Sequence, residues 1–381
     1  MSNILVTKPF QAPFAEVSAE IKKAWDAEWL TNNGPMLRQL EQGIQDYLGT
    51  HDCAVVGNGT IAIQIAMHAV GAEGEIITTP FSYVATTSSI VWEGCMPVFV
   101  DIDPKTFNID PSKIEAAITP KTTAILATHV FGVPCDVEAI DAIAQKHGLK
   151  VIYDAAHCFG SKYKGQSVLN YGDISTLSMH ATKLYHSVEG GAIFVNDPDA
   201  EKVESITGMI SPLRFEVDRM RNFGHYGPET FSGVGINGKN SELHAAVGLV
   251  NLRYADEILA DRERQHRKYD VLLDELELRR PAIAAEVEWN KSYYPVVFRD
   301  QEEALAVKDA LEKEGIYARR YFYPALNTLK YVENPGHTPE AVAVSKSILC
   351  LPLYYGLEDS QIAQICAEVV AATTTHRKQS I

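Results

Sequence analysis

Two ionisable residues, 29 positions apart, carry the strongest chemical signal in this sequence. Asp154 ends the run Val151-Ile152-Tyr153-Asp154 and is followed by Ala155-Ala156-His157. Lys183 closes the segment Ser178-Met179-His180-Ala181-Thr182-Lys183, which follows a second apolar run at residues 174–177. In an open α/β sheet the carboxyl ends of the strands face the ligand crevice, so both side chains are expected to point there. A lysine is a nucleophile only as the neutral amine, which desolvation or a nearby cation promotes. A pyridine-aldehyde cofactor needs this pair: a lysine to form an imine with it, and a carboxylate to keep its ring nitrogen protonated as an electron sink. Alone, Asp154 reads equally well as a helix N-cap and Lys183 as a solvated surface residue. Together they point to the cofactor.

A phosphate on such a cofactor needs its own cradle. Gly57-Asn58-Gly59-Thr60 runs directly into an apolar helical stretch at residues 61–70. Glycines let backbone approach closely, and a helix N-terminus offers free N–H groups at its positive end. The hydroxyls of Thr60 and Ser178 are candidates for further bonds. A lone G-x-G is more often a plain turn, so its weight comes from the neighbouring signals. Thr79-Pro80-Phe81-Ser82-Tyr83 follows another apolar run, and an aromatic there is placed to lie on a pyridine ring. Tyr83 is the candidate for that face, with Phe81 read as core. His157 is expected near the ring oxygen or the opposite ring face, although a satisfied structural histidine fits the same spacing.

These residues must be held by a regular frame. Apolar runs at 76–79, 98–100, 124–128, 151–154, 174–178 and 191–195 lack strict alternation, as strands covered on both faces do. Helical patterns at 60–70 and 137–147 lie between them, the second with Asp136 as N-cap and Gly148 as its stop. The alternation predicts an α/β fold with a mostly parallel sheet. Beyond residue 251 the rhythm changes to a long charged helix at 252–276, a strand at 293–298, a helix at 302–314, a strand at 316–320 and closing helices at 339–349 and 359–371. This predicts a large domain over 1–250 and a smaller α+β domain over 251–381.

The 381 residues include 34 Lys and Arg against 49 Asp and Glu, a formal charge of −15. That balance disfavours nucleic acid as a partner, since binding it depends on neutralising phosphates. The six cysteines are scattered without a C-x-x-C pair and read as buried thiols. No metal site is expected. Met1 to Thr7 lacks the pattern of a secretory leader, and no stretch has the ~20 apolar residues of a membrane span. A cytoplasmic protein is expected.

The set Gly-Asn-Gly-Thr, Thr-Pro-Phe-Ser-Tyr, Asp-Ala-Ala-His, Ser-Met-His-Ala-Thr-Lys with Glu189-Gly-Gly-Ala-Ile, and Gly235-Ile-Asn-Gly-Lys-Asn-Ser-Glu resembles the sugar aminotransferases of the DegT/DnrJ/EryC1/StrS group. The likeness runs in order from about Phe10 to Tyr355. It implies a fold-type-I, aspartate-aminotransferase-like transferase that uses pyridoxal 5'-phosphate, with pyridoxamine phosphate as its alternate form. It also implies a homodimer with active sites at the subunit interface. Carried over, Lys183 is the imine-forming lysine and acid/base, and Asp154 the partner of the pyridine nitrogen. Gly59, Thr60 and Ser178 become phosphate ligands, Tyr83 the stacking aromatic, and His157 the neighbour of the ring hydroxyl. Asn237 corresponds to an asparagine reaching the phosphate from the partner subunit, with Lys239 near cofactor phosphate or nucleotide. Thr31 and Asn32 fall in a segment lining the sugar site, and Arg319, Tyr321 and Tyr323 in one that approaches substrate.

The version Ala-Thr-Lys-Leu-Tyr-His-Ser-Val-Glu-Gly-Gly, with the early Leu-Thr-Asn-Asn-Gly-Pro, is similar to enzymes that aminate dTDP-4-keto-6-deoxyglucose at C4 with L-glutamate, releasing 2-oxoglutarate. Amination at C3 of a related keto-sugar is the alternative, and a sugar dehydratase another, though that subgroup has histidine where this chain has Lys183. A Rossmann dehydrogenase would need a third glycine, which Gly57-Asn-Gly-Thr-Ile-Ala lacks. A non-catalytic regulator on the same fold would have no use for the lysine.

Overall fold

The computed structural model describes residues 3–197, 200–205 and 208–379. The apolar runs form β1 (Cys53–Val56), β2 (Glu75–Thr78), β3 (Met96–Phe99), β4 (Thr122–Thr128), β5 (Lys150–Asp154), β6 (Ile174–Ser178) and β7 (Gly191–Val195). They make one sheet in the order β1-β7-β6-β5-β4-β2-β3. β6, β5, β4, β2 and β3 are mutually parallel, while β7 runs against both β6 and β1. Because β7 is antiparallel, the chain leaves β6, makes a 12-residue loop on the carboxyl side and returns without a crossover helix. Lys183 lies in that loop.

The helices of this part are α1 (Phe14–Asp26), α2 (Pro35–Leu48), α3 (Gly59–Ala69), α4 (Val84–Trp92), α5 (Pro111–Ala117), α6 (Val137–His147), α7 (Pro212–Met220) and α8 (Glu242–Leu252). Separate apolar clusters cover the two sheet faces, which is why the strands read as unbroken hydrophobic runs. In α6, Asp136 accepts a hydrogen bond from the Ala139 amide, and Gly148 takes the left-handed conformation that ends the helix.

The edge strand β1 is closed by charge. Val55 N–H donates to Glu41 Oε1 (2.9 Å), while Arg221 Nη1 donates to the Val55 carbonyl (2.9 Å) and to Glu41 (2.5 Å). Arg214 Nη1 donates to the Cys53 carbonyl (3.0 Å). An unpaired edge would invite another strand, and these buried groups satisfy it.

The remainder comprises α9 (Ala255–Leu273), β8 (Tyr294–Val297), α10 (Gln301–Lys313), α11 (Pro339–Ser347), β9 (Ile348–Leu351) and α12 (Asp359–Gln379), with β8 and β9 antiparallel. Their apolar faces form a cluster of their own, joined by Ile4. Three expectations are corrected. The long helix is broken: α8 ends at Leu252, α9 starts at Ala255, and Asp274–Leu276 is a single 3-10 turn. Residues 316–320 form no strand, because Ile316 bridges to Ile4 whereas Arg319 bridges to Cys350, so the run has two partners and no ladder. The helix expected to reach 349 stops at Ser347, and the buried Ile348–Leu351 pairs with β8 instead. All six cysteines are free and buried. No helix among the described residues is long and apolar enough to cross a membrane.

Candidate active site

β5 and β6 are adjacent and in register, with Asp154 opposite Thr176, so Asp154 and Ser178 emerge at the carboxyl edge of the sheet. No helix follows β5 directly. Asp154 therefore caps none; its Oδ1 accepts from the Ala156 amide (3.2 Å) in a turn. That turn is pinned from outside, as Asn290 Nδ2 and Ser292 Oγ each donate to the His157 carbonyl at 2.7 Å. Beyond β6, Lys183 N–H donates to the His180 carbonyl (2.8 Å) and Ala181 N–H to that of Val188 (2.8 Å). The loop carrying the lysine is thus held at both ends.

A cavity of about 390 Å³ opens where these segments meet. Of the residues expected to act, Gly59, Thr60, Tyr83, Asp154, His157, Ser178, Lys183, Arg319 and Tyr321 line it. Tyr323 lines an adjoining vestibule of about 830 Å³ that shares Tyr83, Arg319 and Tyr321. Thr31 and Asn32 are exposed and line neither. Asn237 is also exposed and outside the cavity, bridging to Asn222. Its neighbour Gly238 accepts a hydrogen bond from Gly57 N–H (2.8 Å), so the 237–239 segment runs beside the glycine turn. Lys239 Nζ donates to Asn222 (3.0 Å) and lies over the Phe223 ring.

The turn before α3 is built for close approach. Asn58 is the N-cap, its Oδ1 accepting from Ile61 N–H (2.9 Å), and Asn58, Gly59 and Thr60 at the helix N-terminus line the cavity. A side chain at Gly59 would meet Ser178 Cβ at 3.0 Å. Phe81 is fully buried against Phe107, Phe131 and Phe322, as core, whereas Tyr83 is half exposed at the cavity.

The electrostatics separate the three central groups. Burial lowers the Lys183 amine to about 8, with Asp154 opposing the shift. Lys183 Nζ has no hydrogen bond or ion pair among the described residues. Burial raises the Asp154 carboxyl, against bonds from Thr86 and Ala156 and the charge of Lys183. Burial, and next the Lys183 charge, hold His157 neutral, and its Nδ1 is buried without a partner. Phe322 stacks parallel to the His157 ring (5.7 Å) and Tyr293 meets its edge (4.9 Å). Thr86, Phe322 and Tyr293 were not read from the sequence, for no local pattern marks residues that converge from such separations.

A buried carboxylate without an ion-pair partner, an unpaired amine facing the same cavity, an orphaned imidazole nitrogen and a glycine-lined helix terminus together fit a phosphorylated pyridine aldehyde. Fold and site define the class: a fold-type-I transferase dependent on pyridoxal phosphate. The chain belongs to the DegT/DnrJ/EryC1/StrS aminotransferase family, whose profile matches residues 14–370. Among its relatives is a dTDP-4-amino-4,6-dideoxy-D-glucose transaminase of Shigella dysenteriae, 39% identical over 96% of this chain and 98% of that one. Its counterpart from Escherichia coli is 38% identical over 95% and 96%. The crystal structure of DesI in the presence of its TDP-sugar product superposes with a TM-score of 0.91 at 29% identity, covering 100% of this chain and 95% of that one.

Proposed function

We propose that this enzyme transfers the amino group of L-glutamate to a nucleotide-linked keto-deoxysugar, with dTDP-4-keto-6-deoxyglucose as acceptor and dTDP-4-amino-4,6-dideoxyglucose as product. The observation that carries the reading is the convergence of Lys183 and Asp154 on one cavity. The choice of sugar rests on the near full-length likeness to two dTDP-4-amino-4,6-dideoxy-D-glucose transaminases.

Bound pyridoxal phosphate supplies an electrophilic carbon and a protonated ring that accepts the electron pair left by a broken C–H bond. Asp154 would accept a hydrogen bond from the protonated ring nitrogen, Gly59, Thr60 and Ser178 would hold the phosphate, and Tyr83 and His157 would contact the ring. Lys183 anchors the group and moves the proton. With its amine at about 8, roughly a tenth is neutral at pH 7, about two orders of magnitude more than for an ordinary lysine. As a free neutral amine, Nζ would take the proton from the carbon bearing nitrogen in glutamate. In the second half of the cycle it delivers a proton to the sugar carbon that gains nitrogen. Arg319 and Tyr321, at the mouth shared with the vestibule, meet the substrate.

A homodimer fits the surface. Phe231 (61% exposed) and Val234 (84%) stand out in the segment that leads into Asn237, the kind of exposed apolar side chains that interfaces cover. From that segment Asn237 and Lys239 would serve the partner's site, and Thr31 and Asn32 its sugar pocket. The division into a 1–250 cofactor domain and a 251–381 small domain is supported by the separate apolar cluster of the later helices. A nucleotide-activated substrate and free, buried cysteines support a cytoplasmic setting.

The deciding experiment incubates the enzyme, glutamate and pyridoxal phosphate with dTDP- and UDP-linked keto-sugars, reading products by mass spectrometry and the amine's ring position by NMR. An amine at C4 of the dTDP sugar is expected. Absence of 2-oxoglutarate with every acceptor would overturn the proposal.

A further inference from the structure

Thr86 Oγ1 donates to Asp154 Oδ2 at 2.6 Å. The same oxygen lies 2.8 Å from Ser82 Oγ, which in turn receives Thr128 Oγ1 at 3.0 Å. All four side chains are buried. A hydroxyl carries one proton, and an ionised carboxylate only accepts. Thr86 has therefore committed its proton to Asp154, Ser82 must donate to Thr86, and Thr128 to Ser82. The chain of donors has one direction, set by the negative charge at its end. Its members come from four places: the end of β4, the loop after β2, the first turn of α4 and the end of β5.

We propose that Thr86, Ser82 and Thr128 are positioning residues, a one-way hydroxyl relay that keeps Asp154 ionised and aimed into the cavity. The inference rests on the reading of Asp154 as the group that grips the cofactor's ring nitrogen. Successive donors polarise one another, so the terminal bond to the carboxylate is stronger than an isolated one. The relay opposes the desolvation of Asp154 from one side. The other groups facing the carboxylate are the Ala156 amide, the Lys183 amine and the buried Cys158 thiol. Of these only the amide and the lysine favour the charge.

The test is the titration of Asp154 in full-length protein freed of cofactor, followed by pH-difference infrared spectroscopy with the band identified through Asp154→Asn. Thr86→Val should raise the midpoint by about one to two pH units, the scale of one charge-assisted hydrogen bond. Thr86→Ser should restore it. Ser82→Ala, which keeps the terminal bond and breaks the relay behind it, should give a smaller rise. In parallel, the cofactor's dissociation constant should weaken about tenfold or more in Thr86→Val. An unmoved midpoint in Thr86→Val, or weakened cofactor binding without a moved midpoint, would overturn the relay. If Thr86→Val does not fold, Ser82→Ala with a wild-type midpoint does so. Normal cofactor affinity and turnover in Asp154→Asn, with the Thr86→Val shift intact, would instead sink the assigned role of Asp154.

Discussion

Gly191 and Asn58 are packed so closely that only a hydrogen fits between them. A Cβ on Gly191 would stand 2.4 Å from the Asn58 carbonyl oxygen and 2.8 Å from Gly59 N. The first residue of β7 therefore fixes the height of the turn that opens α3. Backbone atoms cannot swing aside as a long side chain can, so the clash must be relieved by moving the turn. Gly191→Ala is expected to weaken cofactor affinity about tenfold or more and to cost about 1–3 kcal/mol of stability. Titration with pyridoxal phosphate and urea unfolding measure the two. Unchanged affinity would show that the turn does not hold the cofactor.

Lys183 supplies a prediction with opposite signs for function and stability. Its folded value of about 8 lies below the ordinary 10.5, so the folded protein binds fewer protons than the unfolded chain between those limits. Stability conferred by the neutral amine thus rises as pH climbs from about 8 to 10.5, and below 8 the desolvated charge is a standing cost of up to about 3 kcal/mol. Lys183→Met should make cofactor-free protein more stable at pH 7, with the gain shrinking above pH 8. The same variant should lose the borohydride-reducible adduct and several orders of magnitude in turnover. An adduct formed through another lysine contradicts the assignment.

The large sheet was legible because its strands are covered on both faces and so read as apolar runs, while loop chemistry collects at their carboxyl ends. Asp154 and Lys183 could be paired for that reason alone. β1 (Cys53–Val56), the four-residue edge strand that pairs only with β7, was not read from the sequence. Residues 316–320 misled: their composition suits a strand, but the two ends bond to Ile4 and Cys350 in different places. Thr86 and Phe322 reach the site across 68 and 165 residues from Asp154 and His157, and only folding brings them there.

Asp154→Asn separates catalysis from fold. A carboxylate beside a ring nitrogen raises its basicity by about one to three pH units, and the amide cannot replace that charge. Turnover should fall about 10- to 1,000-fold. The melting temperature should stay level or rise, because the buried carboxyl is desolvated and the amide is not charged. Near-normal turnover would leave Asp154 a structural residue of the β5 turn.

The charge cluster on β1 predicts a structural failure that is distinct from these. Arg221 is 3% exposed, and its guanidinium joins Glu41 (2.5 Å), Asp218 (2.7 Å) and the Val55 carbonyl. Removing it as Arg221→Leu leaves Glu41 buried, only 3.9 Å from Arg214 but without its close partner. Breaking one side of a buried pair costs about 3–5 kcal/mol, whereas replacing both sides by apolar groups of similar volume is often near neutral. Here the double change should not recover fully, since Glu41 also accepts from Val55 N–H and Arg221 donates to its carbonyl, leaving both backbone groups of the edge unpaired. Glu41→Met with Arg221→Leu is therefore expected to regain only part of the loss in urea unfolding. It should also raise the tendency to aggregate, as an unsatisfied edge strand does. Full recovery without aggregation would mean that the cluster balances charge and does not guard the sheet.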